Sequence, residues 1–177
     1  GSIEVVILRA VNIYGVGMRG NIAAMIRLIS SGVLPRLPKL TNRISLVGID
    51  DVVSSLLLAA THNPTVDPSV LMAKLAIRVT LTDDCVYEIN SIEKSIYDAV
   101  ERSLSHWRLP IMVLFAASAM AELIEKMRIF RSGMGLRTYR NLTRDNLFDN
   151  QSAKPELGFE PSTTFFAQID TLVRRSK

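Results

Sequence analysis

A single cysteine, Cys85, stands in the whole chain, so neither an internal disulfide framework nor a thiolate metal cluster can form. Histidine is almost as scarce. His62 and His106 lie far apart and have no ligand-type neighbours, which leaves structural or surface roles and no metal site. Long apolar runs are missing too: the most apolar stretch, Leu109 to Ala121, stops at Glu122. It falls short of the roughly 20 residues that cross a bilayer, so no membrane partner is expected. No secretory pattern opens the chain, and without disulfides a cytoplasmic setting is the expectation. Charge of one sign is not gathered in a stripe. The 21 Lys and Arg against 17 Asp and Glu leave a net +4, spread too thinly to suggest a nucleic-acid partner.

What is present is the material of a globular protein, 48% hydrophobic over 177 residues, enough for one domain with a real core. Gly1-Ser2 reads as a cloning scar. Ile3 to Tyr14 opens with a β-branched run, the pattern of a strand buried on both faces, although Arg9 is awkward there. A glycine turn at 15–20 leads to a helix over Asn21 to Ser31, striped by Ile22, Met25, Ile26 and Ile29 and stopped by Gly32. Pro35 and Pro38 hold a loop before a strand at Ile44 to Ile49, and Asp50 or Asp51 caps the helix that follows.

His62 to Ser69 reads as a surface loop, and Leu75 to Leu81 as a strand ending in the turn Thr82-Asp83-Asp84. Asn90 and Glu93 form a capping-box pattern ahead of a helix striped by Ile92, Ile96, Val100 and Leu104. Pro110 suits the first turn of a helix running to about Arg131, and Ser132 to Asn146 reads as a loop. A brief helix at Ser152 to Leu157 stops at Gly158, and a last helix after Thr163 or Thr164 buries Phe166, Ile169 and Val173. Its basic end, Arg174-Arg175-Ser176-Lys177, suits the helix dipole. The basic stretch from Arg128 to Arg144 would suit an anionic small molecule. Strands and helices in this order mean α/β or α+β.

Gly15, Gly17 and Gly20 spell G-x-G-x-x-G between a strand and a helix, the context of a dinucleotide fingerprint. No acidic residue follows about 20 positions on to take a ribose hydroxyl; Arg36 to Leu40 is basic and apolar. No second βαβ unit follows either. A tight turn whose glycines adopt positive φ is the better reading, and no NAD binding is expected of this chain alone.

Ile7-Leu8-Arg9-Ala10-Val11-Asn12-Ile13-Tyr14-Gly15 resembles the "LRPxNxYGPG" strand and turn of extended short-chain dehydrogenases/reductases, the NAD-dependent epimerase/dehydratase family. Asn42 to Val52 resembles the family's "RSFVHVDDVA" segment, and Thr80 to Asp84 its "NVTDG". Asp149 to Pro161 resembles "DxSKARRELGFxP". These motifs keep the family order across nearly the whole chain.

The resemblance implies the last strands of a Rossmann-type sheet joined to the small, largely helical substrate-binding domain. Residues 1–177 would be that single C-terminal region, with 3–31 contributing to the sheet and helix of an absent dinucleotide-binding portion. It also implies NAD or NADP in the full-length protein, a nucleotide-diphosphate sugar as substrate, and the missing N-terminal half as partner; a homodimeric parent fits the family. The family's proton-exchanging Tyr-x-x-x-Lys is missing, since Tyr14, Tyr87, Tyr97 and Tyr139 have no lysine four residues on.

By the same resemblance Ala10, Val11 and Asn12 form a wall near the nicotinamide, and no residue here is catalytic. Asn12 matches an asparagine that contacts the nucleotide diphosphate, or it caps its own turn. Asn21 and Ile22 match a helix start that faces substrate phosphates, or Asn21 is an ordinary cap. Arg43 lies near a diphosphate arginine, although the count from Asp50 places Ile44 at that position. Arg140 or Arg144 matches a second phosphate arginine, where a guanidinium fork suits phosphate oxygens, or each is a solvated loop residue. Ala10 and Val16 replace the usual prolines, Gly48 the usual histidine and Asp84 the usual glycine. Two readings stay open: the substrate half of a nucleotide-sugar epimerase or dehydratase, inactive in isolation, and a free-standing binding or regulatory module that has lost the chemistry.

Overall fold

The computed structural model describes residues 5–61, 77–104, 106–126 and 136–175. In chain order their elements are β1 (Val6–Ala10), β2 (Asn12–Tyr14), α1 (Asn21–Ser31), β3 (Arg43–Gly48), α2 (Ile49–Thr61), β4 (Ile77–Leu81) and β5 (Val86–Glu88). Five helices follow: α3 (Ile89–Ala99), α4 (Ile111–Lys126), α5 (Leu136–Thr143), α6 (Ala153–Leu157) and α7 (Phe165–Arg174). This is the mixed α/β class that the element order implies. Two compact units divide the chain, one of Gly1–Gly15, Ser45–Cys85 and Phe148–Phe165, the other of Val16–Ile44, Val86–Leu147 and Phe166–Lys177. The expected surface loop at His62 to Ser69 lies outside the described residues.

In the first unit β1 pairs in parallel with β4, Val6 opposite Ile77 through Ala10 opposite Leu81. β2 pairs in parallel with β3, Asn12 opposite Leu46 and Tyr14 opposite Gly48. The expectation of one doubly buried strand from Ile3 to Tyr14 is therefore corrected. Val11 breaks the run, and the two pieces join different sheets. Val6, Leu8 and Val11 pack against a core of Val47, Val79, Leu81, Ala153, Leu157 and Phe159, with Val52 and Ala59 of α2 beside it. Alternate residues face the other way: Ile7 and Arg9 are exposed, which removes the difficulty of a buried arginine.

β3 runs one residue earlier than expected, and Ile49 starts α2. Asp50 and Asp51 fall in the first turn of α2, but Asp51 is buried and its Oδ1 accepts from the Ser162 N–H at 3.0 Å and hydroxyl at 2.6 Å. A carboxylate expected to cap its own helix is spent on a distant segment. α6 ends at Gly158, whose φ of +65° is the left-handed stop the sequence predicts.

In the second unit α1 packs on α3. α1 buries Ala23, Met25, Ile26 and Ile29 and ends in a left-handed Gly32, close to its predicted stripe and stop. α3 starts one residue before Asn90, so Asn90 and Glu93 lie inside the helix and form no capping box. Asn90 Oδ1 accepts from Leu40 N–H at 2.8 Å, its Nδ2 donates to Pro38 O at 3.0 Å, and Glu93 Oε1 accepts from Leu37 N–H at 2.5 Å. The proline loop leaves backbone groups that need partners, and these two side chains supply them. α3 ends at Ala99, short of Leu104.

α4 begins just after Pro110, whose carbonyl accepts from Val113 and Leu114, and its described part ends at Lys126. The loop expected from Ser132 to Asn146 is corrected over its described part: Leu136–Thr143 is helix α5. Gly133 and Gly135 just ahead of it mask the helical spacing of Leu136, Tyr139 and Thr143. Tyr139 meets Phe115 of α4 edge-on at 5.3 Å. α7 buries Phe165, Ile169, Leu172 and Val173. Phe166, predicted inside, is 42% exposed and rests its ring on Tyr87 at 5.0 Å.

Candidate functional site

The glycine turn is a turn. Gly15, Gly17 and Gly20 take φ of +151°, +78° and +100°, conformations that L side chains rarely adopt. A Cβ at Gly15 would also stand 2.2 Å from Ile49 Cγ2. The turn delivers the chain to α1 with Gly20 as the N-cap residue and no side-chain cap. Asn21 is thus the first helical residue rather than a cap, and it and Ile22 are half-buried.

Ala10, Val11 and Asn12 join β1 to β2 as three consecutive residues, with Ala10 and Asn12 exposed and Val11 half-buried. Asn12 does not cap its own turn. Its Nδ2 donates to Ser45 O on β3 at 3.1 Å, which pins the start of β2 to its neighbour.

Two residues along, Tyr14 is fully buried; its hydroxyl donates to Thr163 O at 3.2 Å and its ring meets Phe165 edge-on at 5.5 Å. Burial first, then the charge and hydrogen bond of Asp83, then the charge of Asp51, push its phenol far above the usual tyrosine range. A phenol so held stays protonated through the neutral range. Gly48 makes room for this group: a Cβ there would meet Asp51 Oδ2 at 3.3 Å and the Tyr14 hydroxyl at 3.5 Å. The glycine that departs from the family's histidine thus has a packing reason. Asp83 and Ser162 in this cluster were not signalled by spacing, because they come from separate stretches of chain.

In the second unit Arg140 and Arg144 line one open cleft of about 320 Å³ with Asn141, Asp145 and Asn146. Arg140 lies in the last turn of α5, and its carbonyl accepts from Arg144 N–H at 3.1 Å. Arg43 joins the same neighbourhood through its backbone. Its N–H donates to Asp145 Oδ1 at 2.6 Å, and its carbonyl accepts from Asn146 N–H at 2.8 Å. Sequence distance separates Arg43 from the cleft by about a hundred residues, and only these bonds bring it there. Two arginines and two asparagines among the lining residues suit an oxyanion, and Asp145 already has its Oδ1 engaged by the Arg43 N–H. Of the sequence candidates, Arg140 and Arg144 line one cleft and Arg43 bonds two of its lining residues through its backbone; Ala10, Val11 and Asn12 belong to the other unit. Asn141, Asp145 and Asn146 were not anticipated; their signal is the polar run that follows Arg140. No cluster of three or more His, Cys, Asp or Glu able to hold a metal occurs among the described residues.

No family model matches the chain. A UDP-glucose 4-epimerase of Vibrio cholerae is 30% identical over 113 residues, covering 63% of this chain and 31% of that protein. The crystal structure of UDP-glucose 4-epimerase with UDP-glucose from Thermotoga maritima superposes with a TM-score of 0.62 at 16% identity, covering 96% of this chain and 45% of that one. The structure of MoeE5 in complex with UDP-glucuronic acid and NAD gives a TM-score of 0.64 at 15% identity, covering 98% and 47%. The chain spans about a third of the length of its curated relative and under half of these solved structures. In sequence the chain is similar to part of a UDP-glucose 4-epimerase, and in fold it is similar to part of these solved structures.

Proposed function

We propose that the chain is the substrate-binding half of an NAD- or NADP-dependent nucleotide-sugar epimerase or dehydratase, and that it is inactive by itself. The observation that carries this reading is the cleft: Arg140 and Arg144 face one space in a chain similar to a UDP-glucose 4-epimerase. Two cationic forks would hold a diphosphate, and by the family resemblance the start of α1 at Asn21 and Ile22, in the same unit, would contribute further donors. Ala10 to Asn12 would line the nicotinamide when the other half is present. The cofactor supplies the hydride chemistry; these residues only seat and orient the sugar. Exposed apolar side chains on β1 and α2, among them Ile7, Leu56 and Leu57, support a missing partner layer, as parallel strands are normally covered on both faces.

Titration with UDP and TDP tests the reading. Arg140→Ala and Arg144→Ala should each weaken binding by about 1.5–3 kcal/mol, the range for hydrogen bonds to charged groups. Unchanged affinity in both would remove the cleft from the site. Activity should return only when the N-terminal half is restored, and β1 amides should then gain hydrogen-exchange protection. Turnover by the 177-residue chain alone, or micromolar NAD affinity, would refute it. A full-length protein that binds sugar nucleotides without turning them over would instead be a binding module.

A further inference from the structure

The cleft that holds Arg140 and Arg144 also holds a carboxylate, Asp145, whose charge opposes an anion. One of its oxygens is taken. Asp145 Oδ1 accepts from the Arg43 N–H at 2.6 Å, and the Asn146 N–H donates to Arg43 O at 2.8 Å. Ile44 and Asn146 pair next to these bonds as an isolated parallel bridge. Arg144 is held on both sides of its backbone. Its N–H donates to Arg140 O at 3.1 Å, and its carbonyl accepts a long bond from Asn42 Nδ2 at 3.5 Å. Residues 144–146 therefore lie along 42–44, and Asp145 makes the shortest of the bonds between them.

Residues 42–44 are a firm support, because the loop that leads to them is bound along its length. Asn90, Glu93 and Tyr97 of α3, with Arg108, take the backbone from Leu34 to Leu40. The Tyr97 hydroxyl donates to Leu34 O at 3.0 Å and Arg108 to Leu37 O at 3.1 Å, beside the bonds of Asn90 and Glu93 to Leu37, Pro38 and Leu40. The Leu109 N–H closes on Arg36 O at 2.8 Å. Leu37 and Leu40 are buried, so opening the loop would strand these groups and expose apolar surface.

We propose that Asp145 is a positioning residue: through Arg43 its carboxylate ties the backbone that carries Arg144 to this support, and it does not itself touch the anion. The inference rests on the reading of the cleft as the seat of a diphosphate. Without the tie, the Arg144 guanidinium would be ordered only as the ligand binds, and that ordering lowers affinity. The bond at Arg43 O is made by backbone on both sides and survives substitution of Asp145, so the loss is partial.

Titration of the chain with UDP, followed by NMR, tests it by comparing two uncharged replacements. Asp145→Asn keeps a side-chain oxygen for the Arg43 N–H, and Asp145→Ala does not. Both remove the same charge, so its Coulomb effect on the anion cancels in their ratio. Asp145 is exposed, so neither replacement disturbs the core. Asp145→Asn should bind UDP about five-fold more tightly than Asp145→Ala, the ratio expected for one hydrogen bond. With Arg144→Ala added to each, the ratio should fall to about one, because the acceptor acts through Arg144. Hydrogen exchange at the Arg43 amide should be slow in wild type and in Asp145→Asn, and faster in Asp145→Ala. Equal affinities of the two variants, or a ratio that persists without Arg144, would overturn the proposal. So would a tighter Asp145→Asn whose Arg43 amide exchanges as fast as in Asp145→Ala, since the side chain would then touch the ligand directly. A wild-type chain that does not bind UDP would remove the cleft from the site, and this inference with it.

Discussion

α2 and α3 each start directly after a strand, and each buries a carboxylate near its start: Asp51 at 2% exposure and Glu93 at 1%. The two are compensated differently. Asp51 binds both the N–H and the hydroxyl of Ser162 through one oxygen, while its Oδ2 is buried with no hydrogen-bond partner. Glu93 uses both oxygens, one on Leu37 N–H and one on Asn90 Nδ2 at 3.3 Å, with Arg36 and Arg108 close enough to favour its ionised form. Burial still outweighs these partners and holds its carboxyl above the usual range. In both units an acid near a helix start clamps a segment distant in sequence. The short aspartate reaches only what packs beside its helix, whereas the longer glutamate spans to a loop.

Removing the better-connected acid should cost more. Glu93→Ala leaves the Leu37 N–H buried without an acceptor and opens a cavity, and we expect about 3–4 kcal/mol of lost stability in denaturant unfolding. Asp51→Ala should cost about 2–3 kcal/mol, since Ser162 loses the acceptor of both its bonds. If Asp51→Ala proved the more damaging, the unpartnered Oδ2 would have to be engaged after all.

Ser162→Ala isolates the hydroxyl and should cost about 1 kcal/mol, the backbone N–H bond remaining. Glu93→Gln reports mainly through pH. The folded state binds the Glu93 proton more tightly than the unfolded chain, because burial raises this carboxyl above its ordinary value. Its contribution to stability is therefore full below the unfolded carboxylate pKa and is lost as pH rises through the raised folded value. Wild type should lose stability relative to Glu93→Gln across that interval, measured as the difference in unfolding midpoints. A flat difference would show that the arginines and hydrogen bonds offset burial.

Much of the fold was legible in the residues. The α1 stripe and Gly32, the α6 stop at Gly158, Pro110 ahead of α4 and the positive-φ glycines at 15–20 are local features. Each depends on backbone geometry or helical spacing that neighbours in sequence impose. α5 escaped notice because adjacent glycines hide a short helix that rests on Phe115. β1 and β2 looked like one strand because a β-branched run does not say which partners it will pair with. The candidate site divides the same way. Arg140 and Arg144 were recognisable four residues apart, but Arg43 enters their neighbourhood only through Asp145 and Asn146.

By itself, then, the order of residues determined the class of fold, the positive-φ glycines of the turn at 15–20, and the absence of a Tyr-x-x-x-Lys pair. These follow from side-chain chemistry and short-range sterics, which no distant contact can alter. Tertiary structure decided where the carboxylates went. Asp51, Asn90 and Glu93 read as cap residues in the sequence, yet all three lie within their helices, and a cap bond would satisfy only one exposed N–H. Closing a loop such as 37–40, or holding Ser162, satisfies groups that burial would otherwise leave without water or partner.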